Sequence, residues 1–287
     1  MSGAVAPGAG VLGVPVPVPP LEAEVGTWRP LRVDTVGGWA IGRSAGFTRR
    51  ANSVVPAGAV EDAPSALDRA EALYREEGLA CVVRVCAAAQ PADLDGVLAA
   101  RGYRAVARTH LMVRPVDGGG AVDGFRAADR RGAVDHGSAA SVAGGGIGVE
   151  LQASDRPDDD WLAGWLAVKA SAAAQGDVVG TARRVVTGSP ADYVTARDGQ
   201  GVVGVVRAAT AGAWCAVSCL MVAPSARRRG VASTLTEAAL ERARARGASW
   251  AFVQVEETNA AARALYEGFG FERVAAYHYR ERTLTTA

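Results

Sequence analysis

Lysine is almost missing: of 31 basic residues only Lys169 is not an arginine, and histidine occurs three times, at His110, His136 and His278. The four cysteines, Cys81, Cys86, Cys215 and Cys219, lack the C-x-x-C spacing of zinc or redox sites and have no histidine cluster to complete a ligand set. No metal site is expected, and the cysteines read as buried free thiols in a reducing compartment. Excess charge of either sign is also missing. With a net charge of +1 the chain has no global field to attract nucleic acid or an anionic membrane, so any anion site must be local. The start, MSGAVAPGAGVLGVPVPVPP, has neither a charged n-region nor an uninterrupted apolar stretch. It reads as neither signal peptide nor membrane span. Residues 1–26 are expected to be a disordered, partly polyproline tail, and the protein to be cytoplasmic.

What is present is apolar sequence, 49% of residues, with enough length for two small domains. A low-complexity zone rich in glycine and small residues divides the chain. The expected organisation is a first module over 27–115, a linker over 116–146 and a second module over 147–287. In the second half the pattern predicts a strand at Gly148–Gln152, a helix from Asp158 to Ala174, and strands at Asp192–Arg197 and Val202–Thr210. The run WCAVSCLMVAP follows as a strand halted by Pro224, then an amphipathic helix ending at Gly247. The strand SWAFVQVEE, the helix NAAARALYEGFGF and a last strand complete the half. Strands and helices alternate after a meander, so the fold class is mixed α/β.

The halves end alike. LDGVLAARGYRAVARTHLMVR in the first repeats the pattern of ARALYEGFGFERVAAYHYRER in the second, which points to duplication of one α/β unit. Aligning Gly102 with Gly270 sets Leu98 against Tyr266. The acidic VEDAPS likewise stands where the second half has ARRRGV. Arg227, Arg228 and Arg229 precede a helix whose start favours negative charge, so these arginines call for an anion. A strand, a sharp turn with Gly230 and Ala232, and a helix N-terminus together aim backbone N–H groups at one point, which suits a phosphate or pyrophosphate. A solvated arginine surface is the bland alternative. The turn is neither a Walker loop nor a dinucleotide fingerprint.

CLMVAPSARRRGVASTL followed by VQVEETNAAARALYEGFGFE resembles the GNAT superfamily of acyl-CoA-dependent N-acetyltransferases. Its Arg/Gln-x-x-Gly-x-Gly/Ala loop matches as Arg227, Gly230 and Ala232, and its Asn, Tyr and Gly-Phe pattern as Asn259, Tyr266 and Gly270-Phe271. The resemblance covers about residues 146–283, with a weaker echo over 27–114, and GFTRRANSVVP resembles a stretch of two-module members. It implies tandem modules, each a mostly antiparallel sheet flanked by helices, the first degenerate. It further implies that the strand before the loop splays from its neighbour, with the backbone of Leu220, Met221 and Val222 pairing with the pantetheine arm. Arg227, Arg228, Arg229, Gly230, Val231, Ala232 and Ser233 would hold the pyrophosphate, and Asn259 would contact the pantetheine. Tyr266 would lie near the sulfur and protonate the departing thiolate.

The resemblance leaves the base open. The strand before the loop has no carboxylate, so Glu256 is preferred to Glu257, with helix capping or a solvated strand end as the competing role. Cys219 as an acylated nucleophile lacks a histidine partner. The first module, without the loop or the tyrosine, is expected to bind no acyl-CoA and to shape the amine pocket, with Trp28, Trp39 and TRRANS as candidates or as plain core. The function expected is acetyl transfer from acetyl-CoA to a primary amine of a small molecule by direct attack, in a monomer or homodimer, without nucleic-acid or membrane partners. A non-catalytic acyl-CoA-binding regulator and acetylation of a protein amine are the alternatives.

Overall fold

Valine-rich runs punctuated by glycine and proline pair side by side into one continuous sheet, of twelve strands among the described residues. The computed structural model describes residues 15–117, 140–144, 148–167 and 176–284. Its strands are β1 (Arg32–Val36), β2 (Trp39–Arg43), β3 (Val54–Val55), β4 (Cys81–Val85), β5 (Arg104–Pro115), β6 (Ala140–Gly144), β7 (Val149–Ser154), β8 (Ala191–Asp198), β9 (Gly201–Ala211), β10 (Trp214–Val222), β11 (Trp250–Glu256) and β12 (Glu272–Arg282). The helices are α1 (Leu21–Gly26), α2 (Ala63–Glu76), α3 (Leu94–Ala100), α4 (Asp159–Leu166), α5 (Val178–Val186), α6 (Val231–Ala245) and α7 (Ala260–Gly268).

The strand order is β1-β2-β3-β4-β12-β5-β11-β10-β9-β8-β7-β6. The last strands of the two halves are therefore exchanged. β5 closes the first half in sequence but runs antiparallel to β11, from Trp250↔Pro115 to Glu256↔Thr109. β12 closes the second half but lies between β5 and β4. The expected two sheets are thus one, crossing the junction through two borrowed strands.

Helices cover this sheet in the second half from both sides. α6 and α7 bury Val231, Leu235, Ala239 and Tyr266 against Val253 and Val255 of β11. On the other face Trp161 and Trp165 of α4 and Val185 of α5 pack with Tyr193, Val205, Met221 and Phe47 of the first half. α5 was not expected from the sequence, and residues 168–175 of the predicted helix Asp158–Ala174 lie outside the described residues. The linker reading over 116–146 falls largely outside them too. Within it Val116 is buried in the core and β6 pairs with β7.

The duplication is visible in backbone detail. The Tyr103 amide donates to Leu98 O at 3.0 Å and the Phe271 amide to Tyr266 O at 2.9 Å, so α3 and α7 end in the same turn. Gly102 and Gly270 both take positive φ there, at 86° and 75°. Leu98 is thus the structural equivalent of Tyr266.

The expected disordered tail needs correction over its last part. Val16 is buried with Leu111, Val113, Ala216 and Phe252, and α1 follows. Tertiary contacts override the proline-rich local reading. Glu24 pairs with Arg84 at 2.7 Å, and the fully buried Arg207 donates to Thr27 O at 2.9 Å.

Charges also hold the exchanged β12 in place. Asp95 of α3 takes two hydrogen bonds from Arg280, at 2.7 and 2.9 Å, and contacts His278 Nε2 at 2.9 Å. These bonds, Arg280 first, lower the Asp95 carboxyl from 3.8 to about 2. A pKa depressed by folding contributes stability that is present above the unfolded value and lost as pH falls through the folded one. Because Asp95 is 44% exposed, the contribution is that of a surface ion pair, about 1 kcal/mol. Asp95→Asn should lower the thermal midpoint at neutral pH, and the gap to wild type should close between about pH 4 and pH 2. Calorimetry across that range checks it.

Candidate active site

β10 and β11 run parallel, but only from Trp214↔Trp250 to Ala216↔Phe252. β10 continues to Val222 and β11 to Glu256, so the strands part beyond that point. A bulge drives them apart. The pairing of β10 with β9 shifts register between Ser218 and Met221, and Cys219 within the bulge takes φ of 57°. The backbone of Leu220, Met221 and Val222 borders the resulting cleft.

At the end of β10 a 3-10 turn, Pro224–Ala226, delivers the chain to α6. Arg227, Arg228, Arg229 and Gly230 are exposed around the helix start. Gly230 is the N-cap at φ of 86°, a conformation that costs a residue with a Cβ about 1–2 kcal/mol. Arg228 also takes positive φ, 62°. The turn is braced by Arg227 Nε donating to Val222 O at 3.4 Å and by Arg229 paired with Asp198 at 3.4 Å. α6 itself lies close on the sheet: a Cβ on Gly204 of β9 would come within 2.7 Å of Leu235 Cδ1.

The start of α6 differs from those of the other described helices of eight residues or more. Asp62 of α2, Asp158 of α4, Asp177 of α5 and Asn259 of α7 each accept a backbone N–H with a side-chain oxygen. α6 has no side-chain cap. The first N–H groups of a helix have no intrahelical partner, so those of Val231, Ala232 and Ser233 are available to an anion beneath three arginines. At α2, the equivalent point in the first half, Asp62 fills this position with its own carboxylate, accepting from the Ser65 amide at 2.8 Å.

Tyr266 on α7 is buried and packs edge-on against Phe271 at 5.4 Å. Burial, and secondarily Cys219, pushes its phenol well above the usual tyrosine range. Cys219 sits at the bulge where the cleft opens and packs against the α4–α5 cluster. Asn259 spends its side-chain oxygen capping α7, on the Ala262 amide at 3.0 Å. Glu256 is exposed at the end of β11, and among the described residues no ion pair engages it. Glu257 is held by Arg108 at 3.6 Å and by the buried His110 at 3.3 Å. The structure therefore brings Leu220–Val222, the arginine turn and Tyr266 to one cleft, with Glu256 at its β11 rim. Among the described residues no group of three His, Cys, Asp or Glu side chains is arranged to hold a metal.

Residues 155–271 match the model of the acetyltransferase (GNAT) family. The second half of the chain is a GNAT domain. No curated protein matches the chain. Among solved structures, a GCN5-related N-acetyltransferase from Kribbella flavida superposes with a TM-score of 0.60 at 17% identity, over 92% of this chain and 94% of the other. A tandem GNAT protein from the clavulanic acid biosynthesis pathway gives 0.56 at 16% identity, over 76% of this chain and 69% of the other. A conserved protein of unknown function from Staphylococcus epidermidis gives 0.58 at 9%, over 91% of this chain and 96% of the other. The architecture is that of a tandem GNAT protein.

The first half reaches the GNAT domain through GFTRRANS. Phe47 stacks edge-on with Trp165 at 5.6 Å, Thr48 accepts from Trp28 Nε1 at 3.3 Å, and the Arg50 guanidinium lies 5.1 Å from the Trp28 ring centre. Trp28 and Trp39 are both core residues, in the second-half and first-half clusters respectively. The cleft also contains polar groups that the sequence reading passed over. Ser218 and Gln254 are lone polar residues in apolar strands, a signal that was there to be found, whereas Glu24 lies in sequence read as tail.

Proposed function

We propose that the GNAT domain transfers an acetyl group from acetyl-CoA to a primary amine of a small molecule by direct attack. The uncapped, arginine-ringed start of α6 at the mouth of a strand cleft carries this reading. It offers backbone N–H groups and cationic side chains to a pyrophosphate, while the edge of β10 at Leu220–Val222 offers its backbone to an extended amide arm. The amine nitrogen bonds to the acyl carbon, the carbon–sulfur bond breaks, and the sulfur leaves with the electron pair. Tyr266 donates its hydroxyl to that sulfur, Glu256 at the β11 rim takes the proton the nitrogen sheds, and Asn259 lies along the arm.

Asp62, placed where α6 has Gly230, keeps the first half from holding a second acyl-CoA. Isothermal titration of acetyl-CoA should therefore give one site per chain. Gly230→Asp sets a carboxylate at the start of α6, in a left-handed conformation unlike the extended one of Asp62, and should reduce affinity at least about 100-fold, since it sets a like charge against the phosphates. Two sites per chain would overturn the account of the first half, and no binding would overturn the assignment.

A further inference from the structure

On β10, Cys215 and Val217 face the core beneath α6 and α7, while Ala216 faces the other way. On β11, Val253 and Val255 face that core, while Phe252 lies with Ala216. Side chains alternate along a strand, so Ser218 and Gln254 share the Ala216–Phe252 face. Extending the register Ala216↔Phe252 by two residues sets Ser218 opposite Gln254 just where the strands part. Both present an unsatisfied atom there. Ser218 Oγ and Gln254 Oε1 are buried and, among the described residues, have no hydrogen-bond partner. Orphaned polar atoms are costly in a protein interior, and two on facing strands at the opening of the cleft are acceptors free to receive a bound group.

Which end of the Gln254 amide is orphaned is set by Glu24. Its carboxylate accepts from Gln254 Nε2 and, at 2.7 Å, from Arg84 Nη2, whose guanidinium lies 4.0 Å from the Tyr277 ring centre. Glu24 and Arg84 are 6% and 5% exposed. An ionised carboxylate only accepts hydrogen bonds, so the NH2 end of the amide must face Glu24 and the oxygen must face away. A group that reaches the amide oxygen and the hydroxyl oxygen from one atom carries two donor hydrogens there. A neutral primary amine has two, and its lone pair remains free for attack.

We propose that Gln254 Oε1 and Ser218 Oγ receive the two N–H groups of the acceptor amine, and that Glu24, from the segment preceding both modules, is the positioning residue that turns Gln254 toward it. This rests on the acetyltransferase reading and adds to it the acceptor's seat and a requirement for two hydrogens on nitrogen. Secondary amines lose one of these bonds.

The test measures CoA release with propylamine, benzylamine, ethanolamine and spermidine, and with N-methylpropylamine and N-methylbenzylamine, alongside acetyl-CoA titration. Wild type should favour propylamine and benzylamine over their N-methyl partners by about fivefold to tenfold in kcat/KM, the worth of one hydrogen bond. Gln254→Leu removes the orphaned oxygen and leaves the Glu24–Arg84 pair intact. It should raise the amine KM at least about tenfold, erase the primary-amine preference and leave acetyl-CoA affinity unchanged, while the lost hydrogen bond to Glu24 lowers the thermal midpoint. A purely structural glutamine would lower the midpoint in the same way but spare KM and the preference. Glu24→Gln, whose amide no longer dictates which way Gln254 points, should lose most of the preference. Should the unpaired Arg84 unfold that protein, Glu24→Gln/Arg84→Met removes both charges and should show the same loss. Unchanged KM and preference in these variants overturn the inference. A wild type that binds acetyl-CoA but acetylates none of the amines also overturns it and leaves the cofactor site standing, whereas failure to bind acetyl-CoA overturns the reading beneath both.

Discussion

Tyr266→Phe is expected to lower kcat by about 10²- to 10³-fold while changing acetyl-CoA affinity less than about threefold. The substitution keeps the ring that packs edge-on against Phe271 at 5.4 Å and removes only the hydroxyl. Leu98, the equivalent residue in the first half, shows that the position accepts an apolar side chain inside the same backbone turn. The loss should therefore fall on chemistry rather than folding. Burial sets the form of the effect. With its pKa pushed well above the tyrosine range by burial, the phenol keeps its proton throughout the pH range in which the protein is folded and the amine is reactive. Complete transfer of that proton to a thiolate of pKa about 8.5 is uphill, so the hydroxyl acts chiefly as a fixed hydrogen bond to the charge growing on sulfur. The rate profile of kcat should accordingly show no decline from phenol ionisation below about pH 10. Stopped-flow or steady-state assays of CoA release across that range, for wild type and Tyr266→Phe, check both statements. A variant with wild-type kcat would leave Tyr266 as a core aromatic.

The arginine turn, α6, α7 and Tyr266 were legible because each has a local cause. α6 carries Leu235, Ala239 and Ala243 at helical spacing, Gly247 stops it, and the arginines oppose the usual charge of a helix start. The splay of β10 from β11 was legible only through family resemblance, because the bulge at Cys219 is marked by no glycine or proline. The strand exchange had no local signature at all. β5 and β12 are both alternating strands that follow a Gly-aromatic turn, and an alternating pattern does not record which strand lies beside which. The fate of residues 15–26 was hidden for a related reason. Proline and glycine predict extension, but the ordering of this segment comes from partners far away in sequence, Arg84 and Gln254. A base could not be read from β10 because that strand has no carboxylate. The carboxylate that does reach this face of the sheet, Glu24, comes from outside both modules.

The exchange makes a second large effect predictable. A chain reduced to residues 147–287 is expected to be insoluble or unfolded and to bind no acetyl-CoA, although it contains the arginine turn, Tyr266 and the whole family match. Without the first half, β11 loses its neighbour β5, and β12 loses both of its neighbours, β5 and β4. β5 brings Leu111, Met112 and Val113, all at most 2% exposed. At about 1.5–3 kcal/mol each, their burial alone amounts to about 5–9 kcal/mol, comparable with the whole stability of an ordinary domain. The truncated sheet would also present unpaired apolar edges, which associate with one another. The damage extends to the cleft, because Arg114 at the end of β5 donates to Phe269 O at 2.6 Å and so ties down the end of α7, the helix that carries Tyr266. Expression of both chains, followed by gel filtration, circular dichroism and acetyl-CoA titration, decides the matter. A soluble, monomeric 147–287 that binds acetyl-CoA as the full chain does would mean that β12 can leave β4 and pair directly with β11. In that case the exchange would be one of two accessible pairings rather than a requirement of the fold.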